Sequence, residues 1–199
     1  QSESVTAAKS TVLTVSPRDF PATVQITQVS AGYGSYGSHC LFLSSGGQVY
    51  AQGFGPPCGV NDSFDVTHPT LVTYYTAGDE GNRMNSGNHK WGARFRGRRK
   101  TRAPVYRLNP TIQKVSAGNG FSMFLSKDGE VFTAGVTANG RLGFQSKFPS
   151  QLCPRLVNEL DEITDISSGG DFAVVLQAPG NAYAWGCNKA GQVGANNLQ

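Results

Sequence analysis

The sequence predicts an all-β chain made of repeated four-stranded antiparallel units. Three observations carry that expectation. Turn formers and aromatics are abundant, with 25 Gly, 10 Pro, 11 Phe and 7 Tyr among 199 residues and only 15% charged, a mix that suits many short strands. No stretch keeps an apolar period of about 3.6 residues over three turns, so little supports a helix. One pattern also recurs three times.

The recurring unit is "ITQVSAGYGSYGSHCLFLSSGGQVYAQG" at 26–53, "IQKVSAGNGFSMFLSKDGEVFTAG" at 112–135 and "ITDISSGGDFAVVLQAPGNAYAWG" at 163–186. Gly118 and Gly169 are 51 residues apart, as are Gly135 and Gly186, whereas Gly32 and Gly118 are 86 apart. The first interval therefore holds an insertion, between Val72 and Ile112. After the last glycine come "VTANGRLG" and "CNKAGQVG", with a worn "FGPPCGV" in the first copy.

Each unit divides into four strands. A Pro-x-x-Val segment at Pro21, Pro69 or Pro154 is read as the opening strand. Ile-x-x-Val/Ile-Ser is the second. The apolar run, Phe121 to Ser126 in the middle copy, is the third, and "EVFTAG" is the fourth. "SGG", "KDG" and "APG" supply the turns between the last two, Asp-Gly before an alternating run being a hairpin signal. The small Ser-Ala-Gly step suits close backbone approach. Gly32, Gly53, Gly118, Gly135, Gly169, Gly186 and Trp185 are the structural residues of the repeat. A lone His39 at a repeated position, where Phe121 and Phe172 stand in the other copies, is read as a packed, hydrogen-bonded residue.

A four-stranded unit repeating every 51 residues matches a β-propeller blade, and propellers carry about four to eight blades. Three copies do not close a ring. The fold class is therefore β-propeller blades forming an incomplete propeller or a segment of one. The remaining blades are too divergent to see, lie in another chain, or belong to a longer one. The division expected is a leader or strands of a preceding blade at 1–20, a first repeat at 21–72, a basic loop at 73–109, a second repeat at 110–153 and a third at 154–199.

The order V-S-A-G, apolar run, D-G-x-V-[YF]-x-x-G, N-x-x-G-[QR]-[LV]-G resembles the regulator of chromosome condensation repeat, the blade of a seven-bladed propeller. "YAWGCNKAGQVG" (183–194) is the nearest match. The resemblance implies an interaction module within a larger protein. One member of the family is a guanine-nucleotide exchange factor for a small GTPase that also docks on chromatin. The loop wedge on which that activity depends has no match here.

Charge is uneven. Eight basic residues lie between Lys90 and Arg107, and no acid occurs from Gly81 to Lys127. Without those eight, a net charge of +4 becomes −4. "NHKWGARFRGRRKTRAPVYRLNP" (88–110) interleaves Lys90, Arg94, Arg96, Arg98, Arg99, Lys100, Arg102 and Arg107 with Trp91, Phe95 and Tyr106. Arginines fork onto phosphates and aromatics stack on unpaired bases. The reading taken is an anchor on nucleic acid, RNA or DNA, or on a ribonucleoprotein. An acidic protein partner and a solvated or localisation segment are the alternatives.

No phosphate-binding glycine loop, nucleophile elbow or His-carboxylate constellation is present. The expectation is a non-enzymatic scaffold without cofactor or metal, the competing class being an exchange-factor-like regulator. Cys40, Cys58, Cys153 and Cys187 form no C-x-x-C pair and are read as reduced core thiols of an intracellular protein, nuclear, cytosolic and organellar settings all being open. No apolar run reaches the length of a membrane span, so no membrane partner is expected.

Overall fold

The computed structural model describes residues 19–74 and 110–194. Three antiparallel sheets follow one another, each with its strands in chain order. The first comprises β1 (Ile26–Gly32), β2 (His39–Ser44), β3 (Val49–Gly53) and β4 (Val66–Leu71), with a one-turn helix α1 (Gly55–Cys58) before β4. The second comprises β5 (Ile112–Ala117), β6 (Phe121–Ser126), β7 (Val131–Val136) and β8 (Ser150–Leu156). The third comprises β9 (Ile163–Ser168), β10 (Phe172–Gln177) and β11 (Asn181–Gly186), and has three strands among the described residues. These are propeller-type blades.

The middle sheet shows how packing reads the sequence. Every residue of β6 is buried, because both faces of this sheet are covered. Phe124 points into one core with Leu41, Leu43 and Val49 of the first sheet. Phe121, Met123 and Leu125 point into a second core with Ile166, Ala173 and Val175 of the third. A strand buried on both faces reads as a continuous apolar run rather than an alternation.

The repeat glycines sit where backbones meet. A Cβ on Gly118 would overlap the Phe121 ring, and one on Gly32 or Gly169 would overlap the His39 or Phe172 ring. Gly135 has φ +123°, and Gly53 and Gly186 match it at +115° and +107°. A side chain at Gly135 would also strike the Gly120 carbonyl. Non-glycine residues rarely take such backbone angles.

Two expectations need correction. The Pro-x-x-Val segments do not open their units. The strand containing Pro69 pairs with β3, and the one containing Pro154 pairs with β7, so each closes the preceding sheet as its outermost strand. A residue without an N–H is tolerated at such an edge. The Pro21 segment is a turn, closed by Val24 N–H donating to the Pro21 carbonyl at 2.9 Å. Secondly, Cys40 is exposed rather than a core thiol, and Cys187 is half-buried. The buried thiols are Cys58 and Cys153, and burial raises both to pKa about 12.

Candidate functional site

Strand direction alternates within each sheet, so the connections sort to two ends. The β1–β2, β3–β4, β5–β6, β7–β8 and β9–β10 connections share a loop end. The tight β2–β3, β6–β7 and β10–β11 turns share the other.

The side chains of the insertion singled out in the sequence, the basic Lys90, Arg94, Arg96, Arg98, Arg99, Lys100, Arg102 and Arg107 and the aromatic Trp91, Phe95 and Tyr106, lie outside the described residues. Its two roots are described, and both are fixed at the turn end. On the incoming side, the Tyr74 ring packs edge-on against Phe124 and Phe132, with centroids 5.6 Å away in each case. Its hydroxyl is buried without a partner among the described residues, and burial pushes its pKa up. On the outgoing side, Ile112 N–H donates to the Gly47 carbonyl at 2.9 Å and Lys127 N–H to the Thr111 carbonyl at 2.8 Å. Between the roots lies a pocket of about 250 Å³ reaching Gly46, Tyr74 and Pro110.

The loop end carries exposed aromatic side chains: Tyr33 (84% exposed), Phe64 (77%) and Phe148 (49%). The same end also carries a polar cluster that sequence reasoning missed. The Arg141 side chain has no exposed surface and pairs with Asp171 at 3.0 Å. Arg141 also donates from Nε to the Ala138 carbonyl at 2.8 Å and from Nη1 to the Asn119 carbonyl. The Tyr36 ring stacks on the guanidinium, its centroid 4.9 Å from Cζ. Asn119 and Asn139 each donate from Nδ2 to Asp171, at 2.7 and 3.1 Å. The Trp185 indole N–H donates to the Arg141 carbonyl at 2.9 Å. One cation thus ties loops of all three sheets. The sequence signal was slight: Arg141 occupies the [QR] place of the N-x-x-G-[QR]-[LV]-G piece.

His39 is buried at the first seam between sheets. Ser122 Oγ donates its only hydrogen to the Pro57 carbonyl at 2.7 Å, so it accepts from His39 Nε2–H at 2.8 Å. Nδ1 is then an unprotonated nitrogen, buried without a partner among the described residues. Desolvation lowers its pKa to about 4, and the imidazole is neutral at pH 7.

The inner strands β1, β5 and β9 lie side by side and are stitched by side chains. Ser30 Oγ accepts from Ala117 N–H at 3.0 Å, and Ser116 Oγ accepts from Ser168 N–H at 2.9 Å. The Gln28 amide accepts from Val115 N–H and donates to its carbonyl, both at 3.1 Å. Lys114 pairs with Asp165 across the second seam, and hydrogen bonding to that ammonium lowers the Asp165 pKa. Among the described residues no group of three or more His, Cys, Asp or Glu is placed to hold a metal ion. Nor is any described helix long and apolar enough to cross a membrane.

Repeated antiparallel blades, glycine-to-ring contacts and serine seams define a β-propeller repeat protein. Two profiles of the regulator of chromosome condensation (RCC1) repeat match the chain, at residues 128–176 and 163–192. The human regulator of chromosome condensation is 29% identical over 182 residues, covering 90% of this chain and 36% of that protein. Human probable E3 ubiquitin-protein ligase HERC6 is 35% identical over 139 residues, covering 68% of this chain and 13% of that protein. The structure of Prp20p from Saccharomyces cerevisiae, described with its binding properties to Gsp1p and histones, superposes with a TM-score of 0.60 at 21% identity, over 92% of this chain and 36% of that one. Human WBSCR16 superposes at 0.60 with 19% identity, over 82% of this chain and 33% of that one. The chain belongs to the regulator of chromosome condensation repeat family, of the propeller type, and spans about a third or less of these relatives.

Proposed function

We propose that the chain is a non-enzymatic interaction module in which blades hold a basic insertion, residues 73–109, as an anchor on RNA, DNA or a ribonucleoprotein. The observation that carries the reading is the basic and aromatic interleaving of Lys90 to Arg107 on a body that is otherwise net acidic. The rooted ends at Tyr74 and Pro110 support it, because an anchor transmits force only through fixed ends. The exposed aromatics of the loop end leave a second, separate face for protein contact, since Tyr and Phe supply contact area at low entropic cost. That Prp20p is described with binding to Gsp1p and histones fits a propeller used for binding.

Nucleic-acid affinity measured against salt tests the proposal, on the protein and on a variant with Arg94, Arg96, Arg98 and Arg99 changed to Gln. Each phosphate contact adds about −0.9 to the slope of log affinity on log salt for duplex DNA and about −0.7 for single strands. The slope is expected to flatten by roughly three units in the variant. Weak binding that the four substitutions leave unchanged overturns the anchor. An exchange-factor reading makes a different demand: the protein must accelerate nucleotide release from a small GTPase.

A further inference from the structure

Charge is as uneven across the folded sheets as along the chain. Two neighbouring segments of the turn end, the β6–β7 turn at 127–130 and the β8–β9 connection at 157–162, hold Asp128, Glu130, Glu159, Asp161 and Glu162 against Lys127 alone. All other described residues together carry five acids and five Lys or Arg. The excess negative charge of the described residues therefore belongs to these two segments. Asp128, Glu159, Asp161 and Glu162 are exposed, and no described Lys or Arg forms an ion pair with any of the four.

These segments touch each other and the outgoing root of the basic insertion. Ile163 N–H donates to the Gly129 carbonyl at 3.2 Å, and Lys127 N–H to the Thr111 carbonyl at 2.8 Å. Asp128 and Glu162 each stand one residue from a backbone bond on the path to that root. Arg107 lies four residues before Thr111 and Arg102 nine, so an extended chain spans at most about 14 and 32 Å. A second observation points to the same end. Tyr74 lines the pocket of about 250 Å³ between the two roots, and its buried hydroxyl has no partner among the described residues. The turn end thus offers a polar group as well as charge to the segment that joins the roots.

We propose that the acidic turn end is the resting partner of the chain's own basic insertion. Asp128, Glu159, Asp161 and Glu162 hold basic side chains of 90–107 when no polyanion is bound, and a polyanion must displace them. That nucleic acid is the displacing polyanion rests on the anchor reading; the docking itself does not. A single exposed ion pair is weak. Here several share one tether, which keeps the partners at an effective concentration of about millimolar. The apparent dissociation constant for nucleic acid then rises as the inverse of the undocked fraction. Salt weakens the docking, because exposed charges are screened beyond about 10 Å at 0.1 M.

Trypsin cleavage within 90–107, without nucleic acid, tests the docking. The samples are the protein, Asp128→Asn with Glu162→Gln, and a control, Asp62→Asn with Asp65→Asn. The control makes the same change of charge at the loop end. All four side chains are exposed, so an unchanged melting temperature shows that each variant is folded. At low salt the turn-end variant is expected to be cut roughly fivefold faster than the protein, two weak pairs having been removed, and the control at the protein's rate. At about 0.5 M salt the three rates should converge. The turn-end variant should also bind a mixed-sequence single-stranded oligonucleotide roughly fivefold more tightly. Equal cleavage of all three at low salt overturns the proposal, and so does an equal gain in both variants, which would reflect net charge alone. Faster cleavage of the turn-end variant in a protein that binds no oligonucleotide supports the docking and overturns the anchor reading.

Discussion

The ring that lies on the repeat glycine is Phe in two sheets and His in one, and the difference has a pH signature. His39 titrates near pH 6.5 when unfolded and at about 4 when buried. Its folded pKa is depressed, so its neutral form contributes stability that is complete above pH 6.5 and lost as pH falls toward 4. Over that window the unfolded chain takes up a proton the folded one refuses, a loss of about 3 kcal/mol. His39→Phe places on Gly32 the ring that Phe121 places on Gly118. Ser122 keeps its bond to the Pro57 carbonyl, so the variant is expected to cost only about 1 kcal/mol at pH 7. Denaturant unfolding at pH 7 and pH 4.5 checks this. The protein should lose stability relative to the variant on acidification, and parallel losses would show that His39 is not the group responsible. The equivalence of His39, Phe121 and Phe172 was legible in the sequence. Their repeat position is a local feature, and each pairs with the repeat glycine of the next strand, His39 with Gly53 and Phe121 with Gly135.

Between elements, the loops do as much as the strands to join the sheets. Asp171, in the β9–β10 connection of the third sheet, is the counterion of a fully buried Arg141 and accepts from Asn119 and Asn139. Asp171→Asn leaves the guanidinium enclosed without a negative partner, and removing one member of a buried pair costs about 3 kcal/mol. Asp161→Asn, on an exposed loop, is expected to change stability by less than about 0.5 kcal/mol. Chemical denaturation of both variants makes the comparison, and equal effects would show that the pair does not hold the loops together. This cluster also marks the limit of what the sequence discloses. Apolar runs such as 121–126 and turns such as Lys127 to Gly129 are local and were legible. The Arg141–Asp171 pair joins residues from different repeats, and nothing in either repeat alone announces it. The Pro69 and Pro154 strands were misassigned for the same reason. Their β character is local, but their pairing partner was read forward in the chain when it lies behind.

Across the whole molecule, the sheets form a row in which each packs on its neighbour, and the two apolar cores share no residue. Stability in such an array is approximately a sum of unit and nearest-neighbour interface terms. Phe124 belongs only to the core between the first and second sheets, and Phe121 only to the core between the second and third, although both lie on β6. Phe124→Ala removes a wholly buried ring and is expected to cost about 3–5 kcal/mol. That loss falls on one seam. Hydrogen exchange should then show amides of β1 to β4 opening well before those of β9 to β11, because the seam that fails holds only the first sheet. Phe121→Ala should reverse the order, releasing β9 to β11 first. A pair of variants that protect and expose the same amides would mean that the blades unfold as one cooperative unit. The seams would then be too strong, relative to the sheets, for the array to come apart in pieces.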